Sequence, residues 1–170
     1  MDSRQFKDAM SQLAATVTIV TTGTADAPHG TTVSAFMSLS LTPPMVLVSL
    51  DRRSSLLAQL APGTPLGVNV LSTEQGELAR RFADKRVERF AGVDWQWSDG
   101  APRLRGNHTW VAGVVSRLIP AGDHVLVIVD VANAEANSNM PLLYWQREFG
   151  THGTIPPGEV RAQAVDTPQA

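Results

Sequence analysis

The chain alternates short apolar runs, rich in β-branched residues, with clusters of turn-forming residues. Runs of this length and composition predict β-strands joined by tight connections. The predicted strands cover residues 16–22, the stretch that begins at 30, and residues 45–50, 66–71, 109–118, 124–131 and 142–145. Helical spacing is confined to a short opening segment capped by Ser3, a segment after residue 53 and one after Ser72. Residues 92–106 are predicted as a loop or lid. Such closely spaced strands favour an antiparallel barrel over a doubly wound sheet.

Composition narrows the classes of function. The 170 residues are 43% hydrophobic and 18% charged, which predicts one globular domain over residues 1–150 and a flexible tail over 151–170. A net charge of −2 gives no reason to expect nucleic acid or a membrane as a partner. Without cysteine, thiolate metal sites and a cysteine nucleophile are excluded, so any redox chemistry requires an organic cofactor. The N-terminus shows no signal peptide, so we expect a cytoplasmic protein.

Small hydroxyl residues fill the run that follows Gly30, which reads G-T-T-V-S-A-F-M-S-L-S-L-T-P-P. Small side chains on a strand allow a flat ligand to approach the backbone amides closely. The same Thr-Thr-Val-Ser pattern is equally consistent with an ordinary edge strand rich in serine and threonine.

Ser54 and Ser55 follow the strand over residues 45–50 and open the next predicted helix. Free N–H groups and the dipole at a helix N-terminus attract anions such as phosphate. Four arginines could add paired hydrogen bonds to that phosphate: Arg52, Arg53, Arg86 and Arg89. The alternative is that Ser54 only caps a helix and that the arginines form a solvated face.

Asp123-His124 places a histidine in a turn at the mouth of a strand. The residue could contact a ligand, or it could simply belong to the hairpin. None of the four histidines has metal-ligand spacing, so we expect no metal site. The sequence also lacks G-x-G-x-x-G, G-x-x-x-x-G-K-[ST] and G-x-S-x-G motifs. A nucleotide ligand would therefore need a different kind of phosphate site.

Several short motifs occur in the order typical of one family. They are V-T-I-V-T-T from residue 17, the run after Gly30, G-V-N-V-L from 67, R-F-A-G from 89, G-D-H from 122 and P-L-L-Y from 141. Over residues 6–149 the chain resembles the flavin reductase family of FMN-binding split barrels. The resemblance implies a mainly β fold with short helices, in which a six-stranded antiparallel split barrel of Greek-key type binds flavin as a homodimer.

The resemblance also implies roles for individual residues. Thr32, Val33, Ser34 and Ala35 would face the isoalloxazine ring, although Ala35 replaces the family's usual second serine. Ser49, Leu50 and Asp51 would flank the ring and ribityl chain. Ser54 and Ser55 would hold the phosphate, and Arg89 and Phe90 would close that side. His124 and Tyr144 would lie where the nicotinamide enters, with His124 as the candidate catalytic residue.

The function implied is reduction of FMN or FAD by hydride transfer from NADH or NADPH. The reduced flavin would then pass to a flavin-dependent monooxygenase partner. Two alternatives stay open within the same fold: a flavin carrier or sensor, and an oxidase resembling pyridoxamine phosphate oxidases. A plain β-barrel binding module is the third.

Overall fold

The computed structural model describes residues 2–153, and β-strands dominate them. Two α-helices form, α1 (Ser3–Ser11) and α2 (Gly76–Ala83), together with 3₁₀ turns at Leu57–Gln59 and Thr73–Gln75. The strands are β1 (Ala15–Thr16), β2 (Thr18–Gly23), β3 (Pro28–Val33), β4 (Phe36–Leu41), β5 (Pro44–Asp51), β6 (Pro65–Val70), β7 (Trp95–Ser98), β8 (Ala101–Leu104), β9 (Thr109–Ala121), β10 (His124–Ala136), β11 (Leu143–Trp145) and β12 (Glu148–Gly150). The expected mainly β fold with short helices is confirmed.

Seven strands form the main sheet, in the order β3-β2-β6-β9-β10-β5-β4, and every neighbouring pair is antiparallel. Its two edge strands, β3 and β4, are consecutive in the chain and only Ser34 and Ala35 separate them. A flat sheet of seven strands would hold its edges roughly 30 Å apart, whereas this link spans about 10 Å. The sheet must therefore curl until its edges meet at Ser34 and Ala35, which we call the seam. The Ser49 N–H donates to the Ala35 carbonyl oxygen at 2.9 Å, which extends the pairing of β4 with β5 into the seam.

The seam explains why the sheet differs from the six strands expected. The run after Gly30 divides at Ser34 and Ala35, and its two halves pair with different partners. β3 pairs with β2, whereas β4 pairs with β5. One predicted strand thus becomes two strands at opposite edges of a seven-stranded sheet.

The two largest hydrophobic clusters of the described residues hold the fold together. The larger lies inside the curled sheet and includes Val48, Leu66 and Val127. The second, which includes Phe82, lies between the sheet and α2. A Cβ added at Gly30 would lie 2.8 Å from Phe82 Cε1, so glycine is what allows α2 to pack closely on β3. Burial of each such large side chain contributes about 1.5–3 kcal/mol.

The segment expected to be a lid is a β-hairpin of β7 and β8, so that prediction is wrong. Ala101 and Leu104 are fully buried, which fixes the hairpin on the core. Its turn, Asp99-Gly100, has φ values of 51° and 81°. Asp-Gly is a favoured pair at such a turn, and it was the signal in the sequence that could have revealed the hairpin.

Three smaller predictions are also corrected. The helix after residue 53 is only the three-residue 3₁₀ turn, because the chain returns to β6 almost immediately. The opening helix is confirmed, but Asp2 rather than Ser3 caps it, through a hydrogen bond of 3.1 Å from the Arg4 N–H. Beyond the predicted strands, β12 adds a third strand to β1 and β11.

Most of the predicted tail lies outside the described residues. None of the helices within residues 2–153 is long and apolar enough to cross a membrane.

Candidate functional site

A cavity of about 330 Å³ opens at the seam. It is lined by Thr31, Thr32, Val33, Ser34, Ala35, Ser49, Leu50, Asp51, Ser54, Ser55, Ala83, Lys85, Arg89 and His124. We call it the seam cavity. It brings together every residue to which the family resemblance assigned a flavin or nicotinamide contact, apart from Phe90 and Tyr144. Of the four arginines considered for the phosphate, it includes Arg89 but not Arg52, Arg53 or Arg86.

The exposed backbone edge of β3 forms one wall of the seam cavity. Arg89 Nη1 donates to the Gly30 carbonyl oxygen at 2.7 Å, so the polar backbone groups of Gly30 face away from β2. Since these groups alternate in direction along an antiparallel strand, those of Thr32 point the same way. β3 has no second neighbouring strand in the described part of the chain. Its outward N–H groups are therefore available to the acceptor atoms of a ligand.

Some side chains on this wall hold the fold together, and others are available to a ligand. The Thr32 hydroxyl donates to the Ala79 carbonyl oxygen at 2.7 Å, which ties β3 to α2. Val33 and Leu50 are buried in the core, so they can meet a ligand through their backbone. Ser34 is exposed at the seam, and its hydroxyl makes no hydrogen bond within residues 2–153.

A tight turn at Asp51 forms the floor of the predicted phosphate site. The Asp51 carboxylate accepts hydrogen bonds from Arg53 Nη2 (2.7 Å), Nε (3.1 Å) and the Arg53 N–H (2.7 Å). The hydrogen-bonded guanidinium holds the pKa of Asp51 well below its usual range. The Ser54 N–H donates to the Asp51 carbonyl oxygen at 2.8 Å. Because the Ser54 N–H is occupied and no α-helix follows, the helix-terminus argument for an anion site is wrong at this position.

Two cations lining the seam cavity can supply the positive charge that was expected of a helix terminus. Arg89 uses Nη1 on Gly30 and Nε on the Asp84 carbonyl oxygen (3.0 Å), while its Nη2 has no partner within residues 2–153. Lys85 makes no ion pair in that same region. Arg86, by contrast, is bound to Asp84, whose pKa is lowered to about 2 by the hydrogen-bonded guanidinium. The cavity can therefore attract an anion through Lys85 and Arg89.

His124 begins β10 and stands directly opposite Asp51 in the sheet register. The Arg52 N–H donates to the Asp123 carbonyl oxygen at 3.0 Å, which joins the two turns. His124 Nδ1 lies 2.7 Å from Asp123 Oδ1, and the hydrogen bond with His124 lowers the pKa of Asp123. Its Nε2 has no partner among the described residues, so this atom can contact a ligand.

Two residues with a role implied by the family resemblance do not line the seam cavity. Phe90 packs against Phe82, with ring centroids 4.9 Å apart, behind the backbone that carries Arg89. Tyr144 lies on β11 with its ring 5.6 Å from that of Phe149.

Sequence reasoning assigned no role to Lys85 or to Arg81. Arg81 Nη2 donates to the carbonyl oxygens of Glu88 (2.9 Å) and Ala91 (2.6 Å), on either side of Arg89. It therefore positions the segment that delivers Arg89 to the cavity. Lys85 and Arg81 lie in one stretch of the sequence that is rich in basic residues. Only their contacts in the folded chain distinguish their roles.

Comparison with known proteins finds a family model described as "Flavin reductase like domain" that matches residues 10–153. The reductase component of a 4-nitrophenol 4-monooxygenase/4-nitrocatechol 2-monooxygenase from Rhodococcus opacus is 32% identical over 150 residues, covering 88% of this chain and 81% of that protein. An NADH:FMN oxidoreductase from Rhodococcus qingshengii is 35% identical over 151 residues, covering 85% and 79%.

Solved structures agree with these relatives. The flavin reductase PheA2 superposes with a TM-score of 0.81 at 32% identity, covering 91% of this chain and all of that chain. The NADH:FAD oxidoreductase SgcE6 from Streptomyces globisporus gives a TM-score of 0.82 at 29% identity, covering 90% and 95%.

Proposed function

Because the chain belongs to the flavin reductase-like family, we propose that it is an NAD(P)H:flavin oxidoreductase that supplies reduced flavin to a partner monooxygenase. The observation that carries this proposal is the seam cavity, in which an open backbone edge, two cations and a histidine converge. These are the groups that a flat, electron-accepting ring with a phosphate-bearing chain requires.

We propose the following orientation for a flavin in the seam cavity. The backbone from Thr32 to Ala35 would border the isoalloxazine ring, and residues 49–51 would flank the ribityl chain. Ser54, Ser55 and Arg89 would hold the phosphate, since a guanidinium nitrogen and serine hydroxyls are strong partners for it. Phe90 would support Arg89 from behind rather than line the seam cavity.

When bound, the flavin supplies the electron-accepting chemistry, taking hydride at N5 from nicotinamide C4. The outward N–H groups of β3 would stabilise negative charge on the reduced ring, because they are already aimed at the cavity. His124 Nε2 would hydrogen-bond and orient the nicotinamide. No side chain needs to act as an acid or base, so alignment of the two rings is the protein's main contribution.

We also propose that the chain works as a homodimer. Register pairs Met37 with Leu47 and Leu126 with Ile119 in two neighbouring rows on the outward surface of β4, β5, β10 and β9. We call this the outward apolar face. Met37 is 55% exposed and Ile119 41% exposed, and large apolar patches of this kind mark interaction surfaces. Leu126 also pairs with Ser49, which lines the seam cavity, so a second copy on this face would adjoin the site.

The dimer also bears on the role expected of Tyr144. Tyr144 lies outside the seam cavity of its own chain, so a nicotinamide contact would require it to reach a second copy.

We further propose that the curled sheet is a form of the six-stranded split barrel, with the divided run after Gly30 supplying the extra strand.

The test is to mix the purified protein with NADH, then with NADPH, with and without FMN or FAD, and to follow absorbance at the nicotinamide band. Oxidation that depends on added flavin is the expected result. Flavin binding without oxidation of either nucleotide would contradict the reductase and favour a carrier or an oxidase.

A further inference from the structure

A second cavity, of about 620 Å³, adjoins the seam cavity. Ser55, Lys85 and Arg89 line both. The second cavity alone is lined by Asp26, Ala27, Pro28, His29, Gly30, Arg53, Val87, Glu88 and Phe90. It lies between the turn that joins β2 to β3 and the segment that follows α2, and we call it the turn cavity.

Charge is distributed unevenly between the junction and the rest of the turn cavity. The three shared residues include both available cations, Lys85 and Arg89, so the junction favours an anion. Away from the junction, the turn cavity adds the carboxylates of Asp26 and Glu88. Arg53 also lines the turn cavity, but its guanidinium forms a salt bridge with Asp51. The pattern suits a ligand with phosphate groups at the junction and hydroxyl or amino donors beyond it.

We propose that the turn cavity binds the adenylate half of FAD and that this chain therefore prefers FAD to FMN. The inference rests on the proposed function, because it takes the flavin phosphate to lie at Ser55 and Arg89. A second phosphate continuing from that point passes Lys85 and enters the turn cavity. The ribose hydroxyls and the adenine amino group then meet the carboxylates of Asp26 and Glu88.

The volumes of the two cavities favour FAD over the shorter FMN. Pockets for small molecules measure about 300–1,000 Å³, so the seam cavity, at about 330 Å³, is near the lower limit. With the turn cavity the site can take a dinucleotide.

The adenylate of NADH carries the same chemistry, but geometry favours FAD as its source. His124, where we place the nicotinamide, lines only the seam cavity and is not among the junction residues. The flavin phosphate, in contrast, lies at the junction itself.

Calorimetric titration with riboflavin, FMN and FAD, without nicotinamide nucleotide, tests the proposal. We expect FAD to bind at least tenfold more tightly than FMN. Ala27 is exposed and lines only the turn cavity, so Ala27→Trp should weaken FAD about tenfold and leave FMN unchanged. Ala25→Trp is the matched control, since Ala25 is exposed on the same turn and lines neither cavity.

A second variant guards against a local change of fold in the turn. Lys85→Ala should weaken FAD more than FMN, because two phosphates lie beside the junction in FAD and one in FMN. Equal affinities of the wild type for FAD and FMN, or equal losses of both in these variants, would overturn the proposal.

Kinetics with FMN as acceptor separate the remaining outcomes. If Ala27→Trp raised the KM for NADH but not for reduced nicotinamide mononucleotide, with FAD binding unchanged, the turn cavity would belong to NADH and the proposal would fail. If no nucleotide were oxidised but FAD still bound more tightly than FMN, the proposed function would fail while the adenylate site would stand.

Discussion

At the scale of single residues, several polar side chains around the seam cavity are already engaged with the protein. The Thr32 hydroxyl bonds to Ala79, the Asp51 carboxylate to Arg53, and two nitrogens of Arg89 to backbone oxygens. Such fixed groups lose little conformational freedom when a ligand arrives. Within residues 2–153, Arg89 Nη2 and His124 Nε2 have no hydrogen-bond partner. Substitution of Arg89 and of His124 should therefore separate phosphate binding from nicotinamide binding.

Replacement of Arg89 tests the phosphate contact. Arg89→Ala should weaken FMN about 10- to 100-fold, because hydrogen bonds to charged groups contribute about 1.5–3 kcal/mol. Riboflavin, which has no phosphate, should lose much less affinity. Titration of each variant with both ligands gives the comparison, and thermal unfolding shows whether the lost bonds to Gly30 and Asp84 disturb the fold.

Arg86→Ala provides the matched control for that experiment. Arg86 is bound to Asp84 and lines neither cavity, so its loss should leave FMN binding unchanged. Equal weakening of FMN and riboflavin in Arg89→Ala would mean that Arg89 only supports the backbone.

Replacement of His124 tests the nicotinamide contact. His124→Ala should raise the KM for NADH about fivefold, as expected for loss of one hydrogen bond of about 1 kcal/mol. The flavin Kd should change less than twofold, because Asp51 and the β3 edge stay in place. His108→Ala is the control, since His108 lines neither cavity. Parallel losses of flavin and nucleotide would contradict a role specific to nicotinamide.

At the scale of secondary-structure elements, local pattern predicted where strands form but not how they end. The run after Gly30 has strand character throughout, and only pairing with β2 on one side and β5 on the other divides it at the seam. The family resemblance nevertheless named most of the residues that line the seam cavity, although not Lys85. Their hydrogen bonds could not be predicted, because partners such as Thr32 and Ala79 lie 47 residues apart. The Asp-Gly turn of the β7–β8 hairpin is visible in the sequence, but the attachment of the hairpin to the core is not. There, buried Asn69 accepts a 2.7 Å hydrogen bond from the Leu104 N–H of β8, 35 residues away.

The turn after α2 should make stability depend on pH. The pKa of Asp84 falls from 3.8 to about 2 on folding, because the ionised carboxylate accepts hydrogen bonds from Arg86. A lowered pKa stabilises the folded state above the unfolded value, and this advantage is lost as the pH falls from about 4 towards 2. The difference in unfolding free energy between wild type and Asp84→Asn should therefore be constant from pH 5 to 7 and smaller at pH 3.

Urea unfolding at each pH provides the measurement. Asp94→Asn is a suitable control, because the Asp94 side chain is mostly exposed and, within residues 2–153, its carboxylate forms a single ion pair, 3.3 Å from Arg105. A difference for Asp84→Asn that did not change between pH 7 and pH 3 would show that the carboxylate charge is irrelevant to the turn.

At the scale of the whole molecule, one curled sheet creates both the interior and the sites. Its inward face holds the core, its seam holds the proposed flavin site, and the turns at one end close the second cavity. The outward apolar face is the part of this arrangement that a single chain leaves exposed. Since Ser49 belongs to that face by register and also lines the seam cavity, association and flavin binding should be coupled.

A charge on the outward apolar face tests this coupling. Met37 is 55% exposed on edge strand β4, so Met37→Asp should cost the single chain little stability. In a dimer, however, it would bury an unpaired carboxylate, which is strongly unfavourable. Light scattering should therefore report half the mass of the wild type, and flavin affinity should fall with it. Trp97→Asp, at a residue 42% exposed on the separate β7–β8 hairpin, should change neither. A monomeric wild type, or a monomeric Met37→Asp variant with full flavin affinity, would show that each chain binds flavin alone.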